Sequence, residues 1–283
     1  MRNWLQDKVV VLSGASGGIG RELCKLLVLK FGAKVVGIGR SAEKMQSLQQ
    51  ELQEKGCAPQ AFRYELFDVG EKANWETLRD KLQTEGIYPA LLINNAGIFP
   101  RFACALDMET QTTEKVLRVN YLAAVYATKA ISPILQGTQK DLPAIVNIAS
   151  SAALCSVVGT AAYSASKGAL KGYTEALTLE EKGRKYVGII YPGTTKTDLF
   201  RDDKNTENSA LDIVAMPAEK MAKKIARAIL KKTKRAVVGW DAKAMNLVAK
   251  IAPVKGLYLI RGIMKKSGSK VFQAVFSDEE KKK

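Results

Sequence analysis

Short apolar runs alternate with longer amphipathic ones along the chain. "KVVVL" (Lys8–Leu12), "KVVGIG" (Lys34–Gly39), "ALLIN" (Ala90–Asn94), "AIVNIA" (Ala144–Ala149) and "VGIIY" (Val187–Tyr191) read as buried strands. Each is short, continuous, rich in Val or other branched aliphatics, and bounded by Gly, Pro or polar residues. "QAFRYEL" (Gln60–Leu66) alternates and is a weaker strand, and "RAVVGW" (Arg235–Trp240) reads as a seventh. Between them, Arg21–Phe31, Thr113–Ile131 and Pro217–Lys232 carry apolar residues at three-to-four spacing, which predicts helices. In the last of these, Met221, Ile225 and Ile229 share one face and the lysines the other, and the proline suits the first turn. Strand–helix alternation with near-continuous apolar strands predicts an α/β domain, a doubly wound parallel sheet covered on both faces. There is no internal repeat and no low-complexity linker. The polar stretch "FRDDKNTENSA" (Phe200–Ala210) reads as a mobile loop.

Composition narrows the chemistry. The chain has 283 residues, 47% of them hydrophobic, enough for one large domain with a full core. It contains no histidine, which excludes Ser-His-Asp and Cys-His sites and removes the commonest zinc ligand, so no metal site is expected. Cys24, Cys57, Cys104 and Cys155 are scattered without a CxxC pair and read as reduced thiols. No apolar run is long enough to span a bilayer, and the first residues lack a basic-then-apolar signal pattern, so a cytoplasmic location is expected. The formal charge of +16 is uneven: residues 218–283 hold 18 Lys/Arg against 5 Asp/Glu and so carry +13 of it. Residues 1–240 are taken as one dinucleotide-binding and catalytic domain, and 241–283 as a basic, amphipathic C-terminal extension. That extension has three readings. It packs on the domain or a second subunit, it makes peripheral contact with an anionic membrane, or it meets an acidic protein partner such as an acyl carrier. Nucleic acid is not expected, because no reader motif is present.

Candidate chemistry sits in three places. "VVVLSGASGGIGREL" puts a glycine-rich turn between the first strand and the first helix, where Gly14, Gly18 and Gly20 would let a pyrophosphate approach the helix N-terminus. Many such turns are glycine-rich for steric reasons alone. The second strand ends "GIGRS", and Arg40 stands where an NAD site would carry Asp or Glu; its guanidinium favours a 2′-phosphate and hence NADP(H), the alternative being a surface arginine. In "YSASK", Tyr163 and Lys167 fall at i and i+4, on one face if the stretch is helical. A nearby ammonium stabilises a phenolate, and moving the phenol from ~10 toward ~7 takes about 4 kcal/mol. Lys167 and an oxidised nicotinamide are expected to supply that together.

These residues resemble the short-chain dehydrogenase/reductase family, of Rossmann type. "SGASGGIG" is similar to its TGxxxGxG loop, with Ser13 in place of threonine and Ser16 and Ile19 inside the turn. "NNAG" (Asn94–Gly97), the "IAS" ending at Ser150, YxxxK at Tyr163 and Lys167, and "PGTTKT" (Pro192–Thr197) follow in the family's order. The likeness runs from about Lys8 to Val238. It implies a catalytic set of Asn120, Ser150, Tyr163 and Lys167, with Lys167 also on the nicotinamide ribose and Asn120 holding a water that relays protons. It further implies that Asp68 and Val69 frame the adenine, and that Asn94, Ala96, Gly97, Pro192, Gly193, Thr195 and Thr197 line the cofactor. The expected sheet has seven strands in the order 3-2-1-4-5-6-7, with a C-terminal helical extension.

The expected function is NADP(H)-dependent interconversion of a ketone and a secondary alcohol, with Tyr163 as general acid/base, on a small, apolar substrate. Reduction of a 3-oxoacyl chain on a carrier protein is the second enzymatic reading. A non-catalytic NADP(H) sensor or membrane adapter is the alternative of another class. The family implies a homo-oligomer, a dimer or tetramer. Substrate choice is expected to lie in Thr194–Met216.

Overall fold

The computed structural model describes residues 2–200, 215–267, 272, 275 and 276. Its centre is a parallel sheet of β1 (Val9–Ser13), β2 (Lys34–Gly39), β3 (Phe62–Leu66), β4 (Leu91–Asn94), β5 (Ala144–Ile148), β6 (Tyr186–Pro192) and β9 (Arg235–Val238). The order is β3-β2-β1-β4-β5-β6-β9. This is the expected order, the seventh strand being β9 because a short parallel pair, β7 (Thr195–Lys196) with β8 (Met216–Pro217), precedes it. The stretch Phe200–Ala210 lies outside the described residues, apart from the backbone of Phe200.

Successive side chains on a strand point to opposite faces, and both faces are apolar here. Val10 and Leu12 of β1 join one core with Leu23 of α1 (Gly18–Lys25), Leu48 of α2 (Ala42–Glu54) and Ile225 of α7 (Ala218–Leu230). Val11 of β1 joins the other, with Trp75 of α3 (Lys72–Thr84) and Ala127 of α5 (Ala123–Ile131). The remaining helices are α4 (Thr110–Leu117), α6 (Ala161–Glu180), α8 (Trp240–Ile251) and α9 (Lys255–Lys266). The strand order reverses between β1 and β4, which opens a crevice at the carboxyl ends of the strands, the place where such sheets bind ligands.

Several boundaries differ from expectation; the helix expected over Arg21–Phe31, for one, is α1 continued by a π turn at Leu26–Lys30. Gln60 is not in β3, because Pro59–Ala61 form a 3₁₀ turn before it. Trp240 does not extend the seventh strand: Gly239 takes φ +112, which ends β9, and Trp240 begins α8. The helix expected over Thr113–Ile131 is α4 and α5 joined by a π turn at Arg118–Leu122.

Candidate active site

The crevice encloses about 400 Å³. Its floor is the glycine-rich turn. Gly14 has φ +69, and a Cβ there would come within 2.9 Å of Ala96 Cα. A Cβ on Gly20 would collide with the Gly14 carbonyl oxygen. The turn therefore demands glycine at both positions. Gly17, the residue before α1, offers no capping side chain to the helix. The amide groups of that first turn are thus left for a ligand, which is the arrangement that binds phosphate.

Ser13 does the work of the family's threonine. Its hydroxyl accepts hydrogen bonds from the Asn95 and Ala96 amides at 3.0 and 3.1 Å, tying the turn to the end of β4. Asn95 reciprocates by donating from Nδ2 to the Ser13 and Gly14 carbonyls at 3.1 and 3.2 Å.

Every residue expected to hold the cofactor borders this crevice except Asn94. Asn94 is buried and points into the protein, donating to Asn147 Oδ1 at 2.8 Å and toward Thr128. Asn95 lines the crevice in its place, because side chains alternate along a strand and only one of two adjacent asparagines can face it. Lys44, on the first turn of α2, also lines the crevice beside Arg40 and was not singled out by sequence. It lies 4.0 Å from Asp198, an exposed pair of little energetic weight. Asp241 is a second omission. Its carboxylate accepts the Thr194 amide at 2.6 Å and fills the space where a Gly193 side chain would stand, so α8 holds the loop after β6 in place.

The opposite wall carries three of the four expected catalytic residues, Ser150, Tyr163 and Lys167. Ser150 follows β5; its hydroxyl accepts the Ala152 amide at 3.1 Å, and it borders the crevice together with Tyr163. Tyr163 and Lys167 lie on one face of α6, both buried, with Nζ 5.9 Å from the Tyr163 ring centroid. Nζ donates to the Ile148 carbonyl at 3.2 Å, leaving two N–H donors for a bound group.

Burial dominates the electrostatics of this pair. It pushes the Tyr163 phenol up to about 12, which interaction with the Ser150 hydroxyl partly offsets. Burial also brings the Lys167 ammonium down to about 8. The drop of the phenol toward neutrality is expected of Lys167 and an oxidised nicotinamide together; in the protein alone desolvation dominates.

Asn120 occupies the π turn behind Gly97 and Ile98 rather than the crevice wall. Its Oδ1 accepts the Ile98 amide at 2.7 Å, and Nδ2 donates to the Ile98 carbonyl at 2.9 Å and to Ser166 Oγ at 3.0 Å. Both amide hydrogens are spent, so the side chain fixes the Gly97–Ile98 backbone and has no proton left to give a relay water.

On the far side of Tyr163, behind the crevice lining, stands an aromatic wall. Phe99 meets its ring edge-on at 5.3 Å, Phe102 lies 4.7 Å from Phe99, and Phe272 stands edge-on to Phe102 at 5.0 Å. Val275 and Met264 belong to the same cluster, so the C-terminal extension packs behind Phe102 and Phe99, which separate it from Tyr163.

The family model described as short chain dehydrogenase matches residues 8–208. Similar proteins include the uncharacterized oxidoreductase YciK of Escherichia coli K12, 31% identical over 207 residues, 72% of this chain and 80% of that one. Dehydrogenase/reductase SDR family member 7B of Xenopus tropicalis is 30% identical over 269 residues, 90% of this chain and 82% of that one. The 3-ketodihydrosphingosine reductase of Bos taurus is 27% identical over 259 residues, 88% and 76% of the two chains. Among solved structures, a Shigella flexneri short chain dehydrogenase complexed with NADP superposes with TM-score 0.73 at 24% identity, covering 86% of this chain and all (100%) of that one. A Burkholderia phymatum short chain dehydrogenase/reductase in complex with NAD gives 0.74 at 22%, covering 89% and 96%. The family match runs from β1 through β7 and takes in the whole Ser150–Tyr163–Lys167 wall, and the chain belongs to the short-chain dehydrogenase/reductase family of oxidoreductases, whose cofactor is a nicotinamide dinucleotide.

Proposed function

We propose that this protein is an NADP(H)-dependent reductase of apolar, long-chain ketones, with Tyr163 as the proton donor. The observation that carries this reading is the placement of the Tyr163 ring. It borders the cofactor crevice together with Ser150, while its ring meets Phe99 and the aromatic wall behind it. A carbonyl group at the phenol would leave its hydrocarbon arms toward Phe99, the partly buried front of that cluster, with Phe102 and Phe272 packed behind it.

A bound dihydronicotinamide supplies hydride to the carbonyl carbon. Tyr163 gives its proton to the carbonyl oxygen, and the Ser150 hydroxyl hydrogen-bonds that oxygen as charge gathers on it. The product is a secondary alcohol. A phenol held up near 12 is protonated throughout the physiological range, the form that the reducing direction uses. Lys167, with two donors remaining, holds the ribose and balances the phenolate as it forms. The bovine relative named for a 3-keto sphingoid base supports a long-chain ketone.

The test follows NADPH absorbance with a series of unbranched ketones. The value of kcat/KM should rise about three- to four-fold for each added methylene, the worth of burying one CH₂, until the wall is covered. A preference for short or polar ketones would overturn the apolar assignment.

For the cofactor, Arg40 and Lys44 line the crevice at the end of β2 and the start of α2, and no carboxylate occupies the residue after β2. Two cations there match a 2′-phosphate. Arg40→Ser with Lys44→Ser should raise the KM for NADPH about 10- to 100-fold, the worth of charge-assisted hydrogen bonds, and leave that for NADH nearly unchanged. Equal effects on both would refute the assignment.

A further inference from the structure

The α8–α9 pair carries apolar side chains that nothing in the described fold covers. On α8, Trp240, Leu247 and Ile251 recur at intervals of seven and four, which puts them on one face, and they are 64%, 57% and 75% exposed. On α9, Leu259 and Ile263 share a face four apart and are exposed, and Tyr258 is 71% exposed. The two helices cross closely, with Gly256 of α9 lying where any side chain would strike Val248 of α8. A buried core would hide these residues, and a solvated helix would not carry them in such number.

The charge on the same helices is of one sign. Lys243, Lys250, Lys255, Lys265 and Lys266 are exposed. Asp241 is the one acidic residue in 240–267, and its carboxylate is turned inward onto the Thr194 amide and the Gly193 backbone. The outward face therefore combines aliphatic, Trp and Tyr side chains with lysines and offers no negative charge.

We infer that this face docks on an anionic lipid bilayer. A second copy of the chain is a poor occupant, since a two-fold interface sets a patch against itself and would oppose lysine to lysine. An anionic headgroup layer matches both features: lysines reach the phosphates, and Trp240 and Tyr258 suit the headgroup level. The contact is peripheral, because among the described residues no helix is long and apolar enough to cross a membrane. The same extension backs the aromatic wall, and Arg261 and Lys265 of α9 lie over the Phe276 ring at 5.6 and 6.0 Å. A lipid-borne ketone would thus be met where it resides. The docking itself does not depend on the proposed reaction.

The test is co-sedimentation of the full chain with vesicles of phosphatidylcholine alone or with phosphatidylserine at about a third of the lipid, at low and at high salt. Binding should require the anionic lipid and fall steeply with salt. Lys250→Glu with Lys255→Glu should weaken it by more than about 10-fold, since each basic residue near the surface contributes about 5-fold. Trp240→Ser with Ile251→Ser should weaken it about 10-fold without lowering the melting temperature. These positions lie outside the catalytic wall, so ketone reduction in detergent should persist in both variants, which separates failure of docking from failure of the reaction. No sedimentation with either vesicle, or binding indifferent to lipid charge and salt, would overturn the inference. So would a dimer that the same substitutions dissociate and that anionic vesicles do not compete away.

Discussion

Replacing Tyr163 by Phe is expected to lower turnover by about 10³-fold or more while leaving NADPH affinity within about three-fold of the parent. A positioned proton donor is worth roughly 10²–10⁴ in rate, and Ser150 can polarise the oxygen but sits in no chain that replaces the lost proton. The substitution is structurally mild. The Phe99 edge contact depends on the ring, which Phe retains, and the lost hydroxyl's interaction with Ser150 is a net loss of about 1 kcal/mol. Single-turnover hydride transfer measured with bound NADPH, beside equilibrium NADPH fluorescence, separates chemistry from binding. Near-normal turnover in the variant would remove Tyr163 from its role.

Lys167→Met is expected to abolish activity and, at the same time, to make the protein more stable at neutral pH. The ammonium is buried, and its one hydrogen bond is to the Ile148 carbonyl. Burial lowers it from 10.5 to about 8. That drop corresponds to on the order of 3 kcal/mol of preference for the neutral form in the folded state. The sign follows from proton binding. Between pH 10.5 and 8 the unfolded chain takes up the proton and the folded chain resists, so stability falls as pH falls across that window, and the full penalty persists below pH 8. Methionine fills similar space without charge. The variant should therefore gain about 1–3 kcal/mol, several degrees in melting temperature, at pH 7. The gain should shrink as pH rises from 8 toward 10.5. Melting curves of both proteins at pH 7 and pH 10 check this; a variant less stable at pH 7 would mean that the ammonium supports the fold. A residue that costs stability and sits at the reacting phenol is better explained by its chemistry than by packing.

Much of this site could be read from residues alone, because the backbone demands are local. The glycines of the turn, the i, i+4 spacing of Tyr163 and Lys167, and Arg40 after β2 all follow from short-range geometry. What escaped reading depends on distance or on side. Asn94 and Asn95 are adjacent and chemically identical, and only the strand's pleat decides which one faces the crevice. Lys44 reaches the crevice through the start of α2, and Asp241 closes on Gly193 across about 47 residues of chain, as the Thr194–Asp241 hydrogen bond records. The break in the long helix at Arg118–Leu122 has no glycine or proline to announce it. The phenol's upward shift in the protein alone was missed because proximity of an ammonium was weighed without the cost of desolvating both groups. The aromatic wall was missed because it joins Phe99 and Phe102 to Phe272, far apart in sequence and beyond the reach of any motif.

That wall divides the protein's inheritance in two. The family match ends at residue 208, whereas Phe272 and Val275 lie beyond it and still pack behind Phe102 and Phe99, the rings next to Tyr163. On the proposed function, proton transfer and cofactor binding are thus encoded in one stretch of the gene and the backing of the substrate's hydrocarbon arms partly in another. Exchange or drift of the last few dozen codons would readdress the enzyme to a new carbonyl compound without disturbing Ser150, Tyr163 or Lys167. A lineage built this way can diversify its substrates while its chemistry stands still.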